Sequence, residues 1–279
     1  MVPNQNEPLV GVDAGATLAK VVVVEASGTH RTAILPSHSL DAVVRRVAEA
    51  APGRVGLTGG GAAELSRALG DAARTVDEFE AWGVGAHSLL RRQHEPPPER
   101  FLLVSLGTGT SVMHVEPGAV RRVGGTALGG GTVVGLGAAL LGTADFHRLA
   151  ALAVRGDRRR VDLLVSDIYR TGGFPLVGDL TAASFGRLAR EGADRADAQD
   201  LAHAVMGLVG ENVGLICGGL AAATGSRHVV YAGSTLRGNP ALRQILEAVT
   251  RALGATPVFL EEGEFAGAHG ALLRAAEGT

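Results

Sequence analysis

Apolar residues fill positions 9–12, give way at Asp13-Ala14-Gly15-Ala16-Thr17, and resume at Leu18-Ala19-Lys20-Val21-Val22-Val23-Val24. A run, a glycine break and a second run rich in β-branched residues predict a strand, a tight turn and a second strand. Positions 31–35 predict a third, so the chain opens as an antiparallel meander. From Ser39-Leu40-Asp41 the spacing changes, and Val43, Val44 and Val47 fall on one helical face. The serine or the aspartate is expected to cap that helix. Positions 54–58 read as a buried strand entering Gly59-Gly60-Gly61 and a short helix over 62–69, followed by a strand over 74–77. This is a β-α-β unit, so the sheet turns parallel. Glu78-Phe79-Glu80 sits at the carboxyl end of its last strand, the edge where open α/β sheets bind ligands. A helix is expected over 81–92.

His94-Glu95-Pro96-Pro97-Pro98-Glu99 interrupts the pattern and divides the chain into lobes of residues 1–98 and 99–279. Beyond it the opening arrangement recurs: Phe101 to Leu106, then Gly107-Thr108-Gly109-Thr110-Ser111, then Val112-Met113-His114-Val115. The second copy lies about 95 residues after the first and has no acid at its turn, and two facing lobes of similar plan would explain the recurrence. Arg121-Arg122-Val123-Gly124-Gly125 leads to Gly129-Gly130-Gly131-Thr132 and a helix to about Leu141. Further helices are expected over 146–154 and 162–169, separated by a charged loop whose Arg158-Arg159-Arg160 run reads as a solvated face, with a phosphate contact as the alternative. Asp179 in GDLTAASFG reads as a helix cap or a ligand contact. A long apolar helix over 200–224, interrupted by Glu211-Asn212, is expected to be buried or to form a dimer. Strand 229–232 ends at Gly233-Ser234-Thr235, a helix follows over 240–253, and a strand, turn and helix close the chain over 258–276.

Composition narrows the partners. The 279 residues can bury a large core, and a net charge of −2 gives no electrostatic reason to expect nucleic acid or an anionic membrane as partner. The window 125–144 carries no charge, but its seven glycines favour a glycine loop and a buried helix over a membrane span. One cysteine, Cys217, excludes an internal disulfide framework, and a reducing cytoplasm is the simplest setting. The start has neither a basic segment nor an apolar stretch, so no secretory signal is expected. Scattered histidines without CxxC or HExxH exclude the zinc patterns. No GxxxxGK[ST] loop and no GxSxG elbow occur. A dinucleotide fingerprint at residues 55–63 is broken by Glu64 where glycine or alanine belongs.

The turn at Asp13 to Lys20 carries chemistry of its own. Glycine lets backbone N–H groups approach an anion, a carboxylate ends the first strand, and a hydroxyl and an ammonium follow. Lys20 is the only lysine among 26 basic residues. A compact ammonium is kept where every other cation is a guanidinium. Phosphate and Mg²⁺ would use these groups.

GVDAGATLAK, DEFEA, VSLGTGTS, RRVGGTALGGGTVVGL, GDLTAASFG, VVYAGSTLRGNP and EEGEFAGAHGAL, in that order, resemble the blocks of the bacterial type II pantothenate kinases. That family belongs to the superfamily of acetate kinase, sugar kinases, Hsp70 and actin. The first block is superfamily-wide, whereas DEFEA followed by GTGTS, RRVGG and GGGT is far more specific. The resemblance implies an α/β, two-lobed actin-like ATPase (ribonuclease H-like) fold with the nucleotide in the interlobe cleft. It implies ATP-dependent phosphorylation of pantothenate, the first step of coenzyme A synthesis, and the long apolar helix and single cysteine add the expectation of a cytoplasmic homodimer paired through that helix.

Carried over residue by residue, the resemblance makes Glu78 the general base and Arg122 the catalytic and acceptor-binding arginine. Asp13 orients Mg²⁺ through water, and Ala14, Gly15, Ala16, Thr17, Leu18, Ala19 and Lys20 form the phosphate turn. Thr108 contacts phosphate and Ser111 the acceptor. Gly130, Gly131, Thr132, Val133, Val134, Phe146 and Ser234 line the nucleotide site, with helix N–H groups offered at the glycine turn. Arg121 is expected to be exposed. Three departures from the family pattern stand out. Ala16 replaces the second glycine of the first motif, so a positive φ there would be strained; Phe146 lacks the usual hydroxyl; Glu262 and Glu264 make the last turn acidic. A superfamily sugar kinase of the N-acetylglucosamine type, with an aspartate base in a different motif, and a non-catalytic nucleotide-binding regulator are the alternative readings.

Overall fold

The computed structural model describes residues 7–93, 96–168, 180–190 and 196–277. The meander forms as expected: β1 (Leu9–Ala14), β2 (Leu18–Val24) and β3 (His30–Pro36) pair antiparallel in sequence. α1 (Leu40–Ala48) buries Val43 and Val47, but Ser39 makes no side-chain cap. β4 (Arg54–Thr58), α2 (Ala62–Leu69) and β5 (Ala73–Thr75) then complete a sheet of order β3-β2-β1-β4-β5, with β4 parallel to β1 and β5 parallel to β4.

α3 runs from Glu78 to Gln93, three residues earlier than the sequence predicts. Asp77 starts it, its carboxylate accepting the N–H groups of Phe79 and Glu80, each at 3.0 Å. Glu78 therefore opens a helix instead of ending a strand. Pro96 to Pro98 are described, whereas His94 and Glu95 of the same interruption lie outside the described residues.

The second half repeats the plan. β6 (Phe101–Leu106), β7 (Thr110–Glu116) and β8 (Ala119–Thr126) form another antiparallel meander. β8 was not expected from the sequence, although Pro117-Gly118 is a turn signal between β7 and β8. After it come α4 (Gly130–Leu141) and α5 (Phe146–Ala153), the latter capped by the Asp145 carboxylate on His147 and Arg148 N–H groups. The expected helix over 162–169 is instead a two-residue strand, β9 (Leu163–Leu164), and one turn, α6 (Val165–Ile168). The buried Leu163-Leu164 pair is held in a ladder with β10 (Thr181–Ala183). Tyr169 and Asp179 lie outside the described residues.

α7 (Ala198–Thr224) is capped by Asp197 and ends at Gly225 in a left-handed conformation. By length and composition it could cross a bilayer, yet two thirds of its apolar window is buried in protein, as in the core helix of a soluble domain. Glu211, the expected interruption, is buried and meets Arg158 at 2.6 Å. Arg158 also lies 3.7 Å from Asp162 and donates to the Thr181 hydroxyl, so it ties the β9–β10 segment to α7. Only Arg159 and Arg160 of the triple-arginine run face solvent.

β11 (His228–Ala232), α8 (Pro240–Ala252) and β12 (Thr256–Phe259) give a second sheet of order β8-β7-β6-β11-β12, with the last two steps parallel. The two sheets thus share one wiring: a meander extended by two parallel strands. α9 (Ala266–Ala276) returns to the first sheet, so close that a Cβ on Gly11 of β1 would collide with the Ala268 carbonyl. α3 lies against α9 on one side and, through Trp82, Ala86, Leu89 and Leu90, against Phe101 and Leu103 of the second sheet on the other. Between the two sheets the glycine turns face one cleft.

Candidate active site

Strand alternation decides which side chains enter that cleft. In β1 and β2, Val10, Val12, Ala14, Ala19, Val21 and Val23 point to the outer core against α1 and α2. Asp13, Leu18 and Lys20 point the other way. A cavity of about 1060 Å³ opens there, lined by Asp13, Gly15, Ala16, Thr17, Leu18, Lys20, Glu78, Thr108, Ser111, Arg122, Gly130, Gly131, Val134, Phe146 and Ser234 from the expected set. Ala14, Ala19 and Val133 are buried, with side chains in the cores and not at the cavity. Thr132 is not at the cavity wall either; its hydroxyl donates to the Ala127 carbonyl and accepts from Gly129 N–H.

The first turn brings Lys20 Nζ to 3.9 Å from Asp13 Oδ2, both side chains almost fully buried. Burial pushes the Asp13 carboxyl up to about 6, the Lys20 ammonium draws it back down, and the Glu78 charge raises it further. Ser37 fixes the turn by donating its hydroxyl to the Gly15 carbonyl at 2.6 Å. Ala16 does not adopt a positive φ, so the methyl that replaces the family's glycine brings no backbone strain.

Across the cleft the second turn is built differently. Gly107 N–H donates to the Gly109 carbonyl, and the Gly107 and Thr108 carbonyls accept from Gly130 and Gly131 N–H at 2.8 and 2.9 Å. The expectation that these helix N–H groups stand open to phosphate is corrected here, because the turn's own carbonyls take both. Thr235 Oγ1 donates to the same Gly107 carbonyl. Thr17 and Thr108 hydroxyls share a hydrogen bond of 2.8 Å, so the two turns touch.

Arg122 reaches the cleft through a β-bulge. Ser111 pairs with Gly125 and Val112 with Gly124, but Met113 pairs with Arg122, leaving Val123 as the extra residue. The bulge puts Arg122 and Gly125 on the same face. Gly125 leaves the guanidinium its space, since a Cβ there would stand 2.8 Å from Arg122 Nη2 and 2.5 Å from the Thr110 carbonyl. Arg121 is exposed and does not line the cavity. Glu78 faces Arg122 within the same space from the first turn of α3. Residues that the sequence reading missed at this wall include Ile34, Trp82, Ser105, His147, Thr235 and Arg237. Ser105 and Ser111 were separable by pattern, because they pair across β6 and β7 and so share a face. Glu264, one of the acids of the last turn, pairs with Arg237 at 3.8 Å, and Glu262 holds a positive φ of 53°.

A meander with two parallel strands, duplicated about a cleft with a buried aspartate and lysine on one glycine turn, defines the actin-like ATPase and sugar-kinase fold. Solved structures agree. The activator of the 2-hydroxyisocaproyl-CoA dehydratase from Clostridium difficile with bound ADPNP superposes with a TM-score of 0.66 at 16% identity, over 97% of this chain and 94% of that one. A ROK family glucokinase from Streptomyces griseus in complex with glucose and AMPPNP gives 0.61 at 15% identity, over 97% and 100%. Sequence similarity reaches further. The Fumble family model matches residues 37–274, and the type II pantothenate kinase of Staphylococcus aureus (strain USA300) is 36% identical over 265 residues, 94% of this chain and 98% of that protein. The chain belongs to the Fumble family, among the type II pantothenate kinases.

Proposed function

We propose that this protein transfers the γ-phosphoryl group of ATP to the primary hydroxyl of pantothenate, the first step of coenzyme A synthesis. The observation that carries the reading is the meeting of Asp13, Lys20, Glu78 and Arg122 in one cavity between two glycine turns, in a chain of this family. Glu78, exposed to the cavity, takes the hydroxyl proton as the oxygen attacks the γ-phosphorus and ADP leaves. Arg122 makes no ion pair among the described residues, and its guanidinium is available to hold the acceptor and the charge developing on the transferred group. Lys20 meets the β- and γ-phosphates, and Thr17 and Thr108 exchange their mutual hydrogen bond for phosphate oxygens. Ser111 faces the acceptor. Val134, Phe146 and Ser234 line the nucleoside side.

The residues fit Mg²⁺. Among the described residues no cluster of three or more carboxylate, histidine or cysteine ligands occurs, so an all-protein cage is absent. One buried carboxylate beside a phosphate-sized space suits an ion that keeps several waters and takes its remaining oxygens from the nucleotide. Asp13 would hold it through water, and the bound ion would neutralise phosphate charge.

The lobes divide near residue 98, with α9 crossing back to the first sheet, and the enzyme works in the cytoplasm. A homodimer forms through α7, where Leu215 is 45% exposed and Gly219, Ala222 and Ala223 are exposed beside it. Sedimentation of the wild type at twice the monomer mass, reduced to monomer by Leu215→Glu, is the expected result; a monomeric wild type removes the dimer.

A coupled assay with ATP, Mg²⁺ and pantothenate tests the reaction. Glu78→Gln should lower kcat by about 10²- to 10⁴-fold while ATP binding persists. Failure of the wild type to form phosphopantothenate, or full turnover by the variant, would sink the proposal.

A further inference from the structure

Trp82 is the chain's only tryptophan and is 5% exposed, yet it lines the cavity. It stands one helical turn after Glu78 on α3, so the two side chains share a face. One edge of its ring packs with Ala86, Leu89 and Phe101 in the core between the sheets. The indole nitrogen lies by Asp13: a Cβ on Gly267 would stand 2.8 Å from Trp82 Nε1 and 2.9 Å from Asp13 Oδ2. That N–H has no hydrogen-bond partner among the described residues, and it is not among the sealed, unpartnered polar atoms. A buried indole N–H ordinarily finds an acceptor. Here the indole N–H is open to the cavity, where the oxygen of a bound ligand can reach it.

Besides Ala16 and Leu18 of the first turn and Ala127, the cavity's apolar residues fall into two groups. Val134 and Phe146 belong to α4 and α5, on the nucleoside side, while Ile34 of β3 and Trp82 belong to the side of Glu78 and Lys20. Ile34 pairs across the ladder with Lys20. An acceptor lying against the second group has its reacting hydroxyl at Glu78 and its adjoining carbons against Ile34 and the indole. Pantothenate carries two methyl groups on the carbon next to that hydroxymethyl, followed by a secondary hydroxyl and an amide carbonyl. This ordering, apolar next to the attacked end and oxygen acceptors one and two carbons further, matches a ring whose face is apolar and whose edge is a donor.

Resting on the function proposed above, we infer that Trp82 determines acceptor specificity: its ring and Ile34 take the geminal methyls, and its N–H donates to an oxygen of the pantoyl group. It acts on binding and orientation, while proton transfer stays with Glu78. Trp82→Phe keeps the ring and removes the donor. The KM for pantothenate should rise about 5- to 20-fold, the range expected for one lost hydrogen bond to a buried partner, with the KM for ATP within about twofold. A Trp82→Phe enzyme with an unchanged pantothenate KM, or with ATP and pantothenate affected equally, overturns the inference.

A second measurement needs no variant. Because Trp82 is the sole tryptophan, fluorescence excited selectively in tryptophan, beyond the absorption of the two tyrosines, reports this position alone. Titrating pantothenate into enzyme saturated with Mg²⁺ and a non-hydrolysable ATP analogue should give a saturable change in emission at concentrations near the kinetic KM. A flat titration from an enzyme that does form phosphopantothenate removes Trp82 from the acceptor site and leaves the function standing. No product at all rejects the function first.

Discussion

The two glycine turns occupy equivalent places in two sheets of identical strand order, and they hold themselves in opposite ways. The first, between β1 and β2, presents formal charge: Asp13 and Lys20, 3.9 Å apart and buried. The second, between β6 and β7, presents hydroxyls, and its carbonyls are consumed by α4 amides and Thr235. Two similar frames thus carry different chemistry at their turns. One turn brings a buried charge pair to the cavity; the other is a fixed wall that places Thr108 and Ser111 opposite it.

Lys20→Met tests the division most severely. If Lys20 meets phosphate as proposed, losing its buried ammonium should lower kcat/KM for ATP by about 10²- to 10³-fold, whereas Thr108→Val, which removes one neutral hydroxyl, should cost less than about tenfold. Equal losses would erase the distinction. Lys20→Met also removes the charge that lowers the Asp13 carboxyl, so the acid limb of its residual rate profile should move to higher pH than in the wild type, where Asp13 titrates near 6.

The smallest effect lies away from both turns. His269 of α9 is buried beside Ser88 and Arg92 of α3, with the His30 ring 5.9 Å away. Burial, then the charges of Arg92 and His30, push it down to about 4. Its folded value lies below the unfolded one, so the fold favours the neutral ring. That contribution is complete above about pH 6.5 and is lost as pH falls towards 4. Urea titrations of His269→Gln between those limits should show a shallower loss of stability with acid than the wild type; parallel curves refute the assignment.

Much of this was readable from residue patterns. The valine runs and glycine breaks announced the first meander and the opening β6–β7 pair of the second, and the lone lysine marked the charged turn. Four things were hidden, each for a physical reason. Alternation sends Ala14 and Ala19 to the outer core, so a contiguous motif overstates the number of side chains in the site. The amides at Gly130 and Gly131 look open in a linear reading because their acceptors, Gly107 and Thr108, lie more than twenty residues away. Trp82 reads as one more apolar residue of an amphipathic helix, and only the fold shows its nitrogen without a partner among the described residues. The helix expected over 162–169 failed because the buried Leu163-Leu164 pair is recruited by a distant strand.

The bulge at Val123 decides which of two neighbouring arginines meets the cleft. In a strictly alternating strand, Arg122 would fall opposite His114, beneath α7, and Arg121 would fall on the cleft face in its stead. Two identical residues stand side by side, and one inserted position selects between them. Closing the ladder without the bulge, with every residue kept, would therefore exchange Arg122 for Arg121 at the cleft without a single substitution.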